Sequence, residues 1–174
     1  MKYYNLKYIN MKYIVNLALL LFIFVSCNQT NDTSAFDEGL AKFEKNKAIA
    51  DKTFNLFIAK DLDGMMDMHS EDLIWSPANT TDSLSKEAFR EGMMGWMTEF
   101  DQFNFIDRQY YPGVDENFVP NGSVRTYGTW IGTHNSGKQT TTKYYSVLEF
   151  NDEGKITADL EWFDLGGVFD QLED

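Results

Sequence analysis

Up to residue 100 the apolar residues recur at intervals of three and four; from Asn104 to Phe163 they recur at two. A single switch of period admits few folds. It calls for helices segregated to one face of a sheet, an α+β arrangement, not the alternating α/β kind. Phe36, Leu40, Phe43, Ala50, Phe54 and Phe57 form the first stripe, and Lys47 interrupts it, which leaves one helix or two open. Asp61 is placed to cap a short helix over residues 62–69, with Met65, Met66 and Met68 as its apolar contacts. Leu73-Ile74-Trp75 reads as a short strand stopped by Pro77, and Ser85 as the cap of a third helix carrying Phe89, Met93, Trp96 and Phe100. Strands are then predicted over residues 104–111, 124–133, 140–150 and 156–163, with turn chemistry at Asn121-Gly122, at residues 135–137 and at residues 151–154. Short connections make the last three strands an antiparallel meander. Gly128 and Gly132 allow long strands to bend. A bent antiparallel sheet wrapped around about three N-terminal helices encloses a cone with a cavity, expected to reach the ~300 Å³ of a ligand site.

The N-terminus carries a different signal. Residues 14–25 are apolar except Asn16, a run too short to span a bilayer as a helix but suited to the core of a secretory signal. Lys2, Lys7 and Lys12 precede the run, and Met11-Lys12-Tyr13 is the better start. Phe24-Val25-Ser26-Cys27 resembles a lipobox, with Phe24 in place of the usual Leu. The resemblance implies cleavage after residue 26 and acylation of Cys27, palmitate included. Two or more acyl chains anchor stably, where one binds only marginally. The expected location is the cell envelope, lipid-anchored on the periplasmic or surface side of the outer membrane. Residues 28–34 contain no large apolar side chain and are expected to be a tether. Cys27 is the chain's one cysteine, so the domain holds no disulfide.

Removing residues 1–26 takes away three Lys and no acid, so the net charge goes from −12 to −15. A surface this acidic repels nucleic acid, whose binding rests on Lys and Arg. It also disfavours flat contact with anionic lipid, leaving the acyl anchor as the membrane link.

The order of elements, with Lys60-Asp61-Leu62-Asp63-Gly64-Met65-Met66, Ser70-Glu71-Asp72-Leu73-Ile74-Trp75-Ser76-Pro77 and Glu149-Phe150-Asn151-Asp152-Glu153-Gly154-Lys155-Ile156, resembles the SnoaL-like proteins of the nuclear transport factor 2-like superfamily across residues 46–173. The resemblance implies a conical α+β barrel over residues 35–174, with residues 35–45 as an added helix, and a homodimer packed through the sheet. It also permits a residue-by-residue comparison with the superfamily's ketosteroid isomerases. The general-base position falls on Ser76, the acidic oxyanion-hole position on Ser146, and the oxyanion-hole tyrosine near Thr53 or Phe54. None is retained, and that chemistry needs a carboxylate base and an acidic donor. Isomerase activity is excluded on this ground.

Asp159 and Glu161 are the remaining candidates for catalysis. They lie two apart on the last strand, on one side and about 7 Å from each other. The isomerase alignment turns that side, with Phe163, into the cavity. Apolar alternation alone turns Ile156, Ala158, Leu160 and Trp162 inward instead. With the first phase, Tyr145, Val147, Leu160 and Trp162 form an outer apolar patch that suits a two-fold dimer. The pocket-lining candidates are Trp75, Ser76, Trp96, Tyr144, Ser146 and Phe163, while Trp75, Trp96, Tyr127, Trp130, Tyr144 and Trp162 are core by default. His69 is expected to meet the last carbonyls of its helix, and His134 to be exposed in a hairpin. Neither has metal-ligand spacing, so no metal and no cofactor is expected. Three functions stay open: a pocket for a small apolar or amphipathic molecule, a cyclase- or dehydratase-type enzyme using a pocket carboxylate, and a dimerisation or interaction module.

Overall fold

The computed structural model describes residues 33–173. The signal sequence, Cys27 and most of the tether therefore lie outside the described residues. No helix among those described is long and apolar enough to cross a membrane. The elements run α1 (Ser34–Ile58), α2 (Leu62–Met66), β1 (His69–Ser76), α3 (Lys86–Glu99), β2 (Phe100–Val114), β3 (Pro120–His134), β4 (Gln139–Phe150), β5 (Ile156–Phe163) and α4 (Leu165–Asp170).

α1 is one helix, not two, and Ser34 belongs to it, not to the tether. Its buried stripe runs through Phe43, Asn46, Ala50, Thr53 and Phe57, so Lys47 lies beside the stripe without breaking it. The polar member is satisfied: Asn46 Nδ2 donates to the Gly122 carbonyl at 2.8 Å. Asp61 and Ser85 cap α2 and α3, accepting from Gly64 N and Ala88 N. α2 ends at Met66, so His69 opens β1, where the sequence had suggested helix. Phe100 likewise begins β2 and is not the last turn of α3.

The sheet order is β1-β5-β4-β3-β2. β2 to β5 form an antiparallel meander, but β1 pairs with β5 in parallel, so the curved sheet is mixed where an antiparallel one was expected. The reason is order along the chain. β1 precedes α3 and the whole meander, and reaches the sheet edge beside the last strand, running in the same sense. The turn before β3 also differs. It lies at Asp115–Phe118, where Asp115 accepts from the Asn117 and Val119 amides, while Asn121 and Gly122 sit inside β3.

Two irregularities set which side chains face inward. Across β4–β5 the pairs Glu149↔Ala158 and Phe150↔Ile156 leave Thr157 as an extra residue. A bulge of this kind shifts the alternation by one. Ile156 is therefore core, with none of its surface exposed, and beyond the bulge Asp159, not Ala158, shares the inner face with Leu148. Each of the two conflicting alternations holds on its own side of Thr157. Across β2–β3, Asp107 and Arg108 oppose Gly128 alone, and Asp107 takes φ of 55°. Arg108 then reaches α1, donating to Asp51 and Asn55 at 2.8 Å each, while the Tyr110 hydroxyl donates to Asp51 at 2.7 Å. Gly128 and Gly132 provide room for rings: a Cβ would stand 2.2 Å from Phe105 at the first and 2.7 Å from Phe100 at the second.

On the outer face Tyr111, Tyr127, Tyr145 and Trp162 form a ladder across β2, β3, β4 and β5, with centroid spacings of 5.8, 4.7 and 5.1 Å. Tyr127 and Trp162 are exposed. Both were core by default in the sequence reading; the phase of β3 and β5 turns them out.

Candidate functional site

The concave face of the sheet, α1, α2, α3 and α4 enclose a cavity of about 90 Å³ that opens to solvent on one side. That is well short of the expected ~300 Å³. Rings have filled much of the cone: Phe105 stacks on Trp130 at 4.3 Å, and Phe54 and Phe57 meet Trp130 edge-on at 6.1 and 5.3 Å. Among the candidates named from sequence, Asp159, Glu161, Trp96, Tyr144 and Phe163 line the cavity. Three do not. Trp75 lies behind the wall, packed edge-on against Phe89 at 5.4 Å. Ser76 ends β1, half-buried and away from the cavity. Ser146 is fully buried on the inner face, with its hydroxyl unpaired.

Trp75 still acts on the site. Its Nε1 donates to Glu161 at 3.0 Å, and the Tyr144 hydroxyl donates to the other Glu161 oxygen at 2.8 Å. Donors to both oxygens favour the ionised carboxylate. Asp159 has no such support. It is 6% exposed, and its Oδ1 has no hydrogen-bond partner. Burial first, and then the charge of Glu161, push the Asp159 carboxyl well above the usual range. Glu161 is raised too, by burial, but the Trp75 and Tyr144 donors oppose that. Of the two, Asp159 is the acid whose surroundings favour the neutral form more, and Glu161 the one whose donors favour the carboxylate. Burial, then the neighbouring acids, also raise the Tyr144 phenol, which stays a donor.

The partner roles of Trp75 and Tyr144 were not foreseen. Indole and phenol donors facing an inward Glu are visible only once the β1–β5 pairing sets Trp75 beside Asp159. Thr53, Thr140 and Thr142 were also missed as lining residues, Thr53 being part of the buried stripe of α1 that the apolar pattern alone does not include. His69 is buried outside the cavity lining, its Nδ1–H donating to the Met65 carbonyl at 2.9 Å. His134 is half-buried, not exposed: it packs on Phe100 at 5.4 Å and lies 3.6 Å from Glu99. Among the described residues no group of three or more His, Cys, Asp or Glu could hold a metal ion.

No family model matches the chain, and no curated protein matches it either. Solved structures do. A candidate polyketide cyclase from Xanthomonas campestris pv. campestris superposes with a TM-score of 0.64 at 13% identity, covering 76% of this chain and 99% of that one. A candidate SnoaL-like polyketide cyclase from Shewanella putrefaciens CN-32 gives 0.60 at 12%, covering 73% and 84%. An NTF2-like protein from Burkholderia xenovorans LB400 gives 0.57 at 14%, covering 75% and 98%. At such identities the likeness is one of fold, and the domain has the fold of the SnoaL-like, nuclear transport factor 2-like proteins.

Proposed function

We propose that the domain binds a small amphipathic molecule in its aromatic cavity and orients it by hydrogen bonds to Asp159. The observation that carries this reading is Asp159, a buried residue of the cavity lining whose Oδ1 has no hydrogen-bond partner. A buried polar atom without a partner costs about 1–3 kcal/mol, which a ligand atom in that place would recover. The enclosed volume is below that of an apolar cavity known to take benzene, so the occupant is small or extends through the mouth. Thr142→Trp would fill the space. Native mass spectrometry of the full chain with a mixture of small ketones and phenols is expected to give adducts with the wild type and none with this variant. Adducts that persist in Thr142→Trp would place binding elsewhere.

A second reading is proton-transfer catalysis of the cyclase or dehydratase kind, favoured by two carboxyls in different surroundings on one wall, Glu161 with two donors and Asp159 with none at Oδ1. Asp159 would be the acid and Glu161 the base. The outer aromatic ladder supports a homodimer, and Cys27, outside the described residues, is proposed as the acylated anchor. Metabolic labelling with a palmitate analogue tests the anchor: label retained by Cys27→Ser would refute it.

A further inference from the structure

The charge balance of the cavity narrows the ligand beyond "small and amphipathic". Its titratable lining groups are Asp159, Glu161 and Tyr144, and no Lys, Arg or His is among the lining residues. A buried carboxyl beside a half-buried one on the same inner face is ordinarily matched by a cation. Here neither carboxyl has one: Glu161 is held by an indole and a phenol, and Asp159 by nothing at Oδ1. Much of the remaining wall is aromatic, with Phe54, Phe57, Trp96, Phe100, Phe103 and Trp130 contributing rings from α1, α3, β2 and β3.

We propose, building on the reading of the cavity as a ligand site, that its ligand is a small organic ammonium ion, paired with Asp159 and enclosed by the aromatic rings. A hard metal ion is a poor fit, because it needs six or more oxygen ligands and rings cannot replace its hydration shell. An alkylammonium is weakly hydrated, and ring quadrupoles attract it. A carboxylate or phosphate ligand would meet two acids and no compensating cation. The chain's formal charge of −12 draws cations toward it over the same range.

Tetramethylammonium chloride is the probe, and tert-butanol, with the same number of heavy atoms, is its neutral counterpart. Both are titrated calorimetrically into the full chain in detergent, against a potassium chloride blank of equal ionic strength. Tetramethylammonium is expected to bind at least about tenfold tighter than tert-butanol. Its affinity should rise with pH, as Asp159 and Glu161, the acids facing it, give up protons. Asp159→Asn keeps the side-chain shape and should lose about tenfold in tetramethylammonium affinity, more than it loses for tert-butanol. Glu161→Gln repeats the test at the second acid if the first variant melts early. Equal affinity for the two probes, no detectable tetramethylammonium binding, or a preference that survives both substitutions overturns the ammonium assignment. Adducts of neutral fragments that still depend on Thr142 would leave the cavity a ligand site for uncharged molecules.

Discussion

His69 shows how one residue ties fold stability to pH. Its Nδ1–H is committed to the Met65 carbonyl, so the neutral ring presents a bare Nε2 to an interior that offers no partner. Burial, with the nearby charges of Lys86 and Lys155, lowers its pKa to about 4. The unfolded chain, near 6.5, binds the proton more readily. Stability is therefore full above about pH 6.5 and declines as pH falls toward 4, by about 3 kcal/mol in all. Asp159 works in the opposite sense. Its raised carboxyl takes up a proton more readily in the folded state, so its contribution is lost as pH rises through that raised value. His69→Gln cannot titrate. Urea unfolding from pH 7 to pH 4 should show the wild type losing about 3 kcal/mol more than the variant. Parallel curves would mean that His69 is already protonated in the fold or is solvated there. The histidine's contact with the end of the preceding helix was legible from spacing alone. Its burial was not, because burial depends on Phe89, twenty residues on, whose ring lies 4.6 Å away.

At the scale of the strand, Thr157 decides which side chains meet the cavity. Deleting it would close the bulge and leave Phe150↔Ile156, Glu149↔Ala158 and Leu148↔Asp159 as consecutive pairs. Ile156, Asp159 and Glu161 then all keep the inner face in one regular alternation. The deletion is therefore expected to cost no more than about 1 kcal/mol beyond Thr157→Ala. Guanidinium unfolding of the two variants compares them directly, and a deletion about 3 kcal/mol worse than the alanine would show that the bulge itself is needed to seat β5. The bulge also explains what could be read in advance. The span of β5, residues 156–163, was legible because its flanking turn residues and β-branched content are local signals. Its phase was ambiguous, since Ile156 and Ala158 suit one alternation and Glu161 and Phe163 the other. No local signal marks Thr157 as the extra residue, because a bulge is a relation between two strands. The same limit applies to Gly128, read as a bend but required by the Phe105 ring on the adjacent strand.

For the molecule as a whole, the outer face asks for a partner. Trp162 is 48% exposed, and it continues a row of stacked rings flanked by half-buried Val147 and Leu160. A contiguous apolar surface of this kind is costly to leave in water and self-complementary about a two-fold axis. Analytical ultracentrifugation of the detergent-solubilised chain should find a dimer at micromolar concentration. Trp162→Glu should reduce the association by at least about tenfold without disturbing the cavity, whose walls lie on the other face. A wild-type monomer, or a dimer indifferent to the charge, would leave the ladder as a stabilised but unpartnered surface.

The parallel seat of β1 beside β5 also sets an order in time. A chain synthesised from its N-terminus carries Leu73 and Trp75 for roughly eighty residues before Ile156–Phe163 exists to pair with them. Throughout that interval the meander can fold hairpin by hairpin, each pairing local and quickly closed, but the sheet lacks its last seam. The indole that holds Glu161 and the strand that carries Asp159 and Glu161 arrive at their places in the same late step. A nascent or truncated chain can thus hold most of its sheet and still have no site. Whatever meets it before that seam closes, whether chaperone or protease, meets a sheet in which Asp159 and Glu161 are not yet in place.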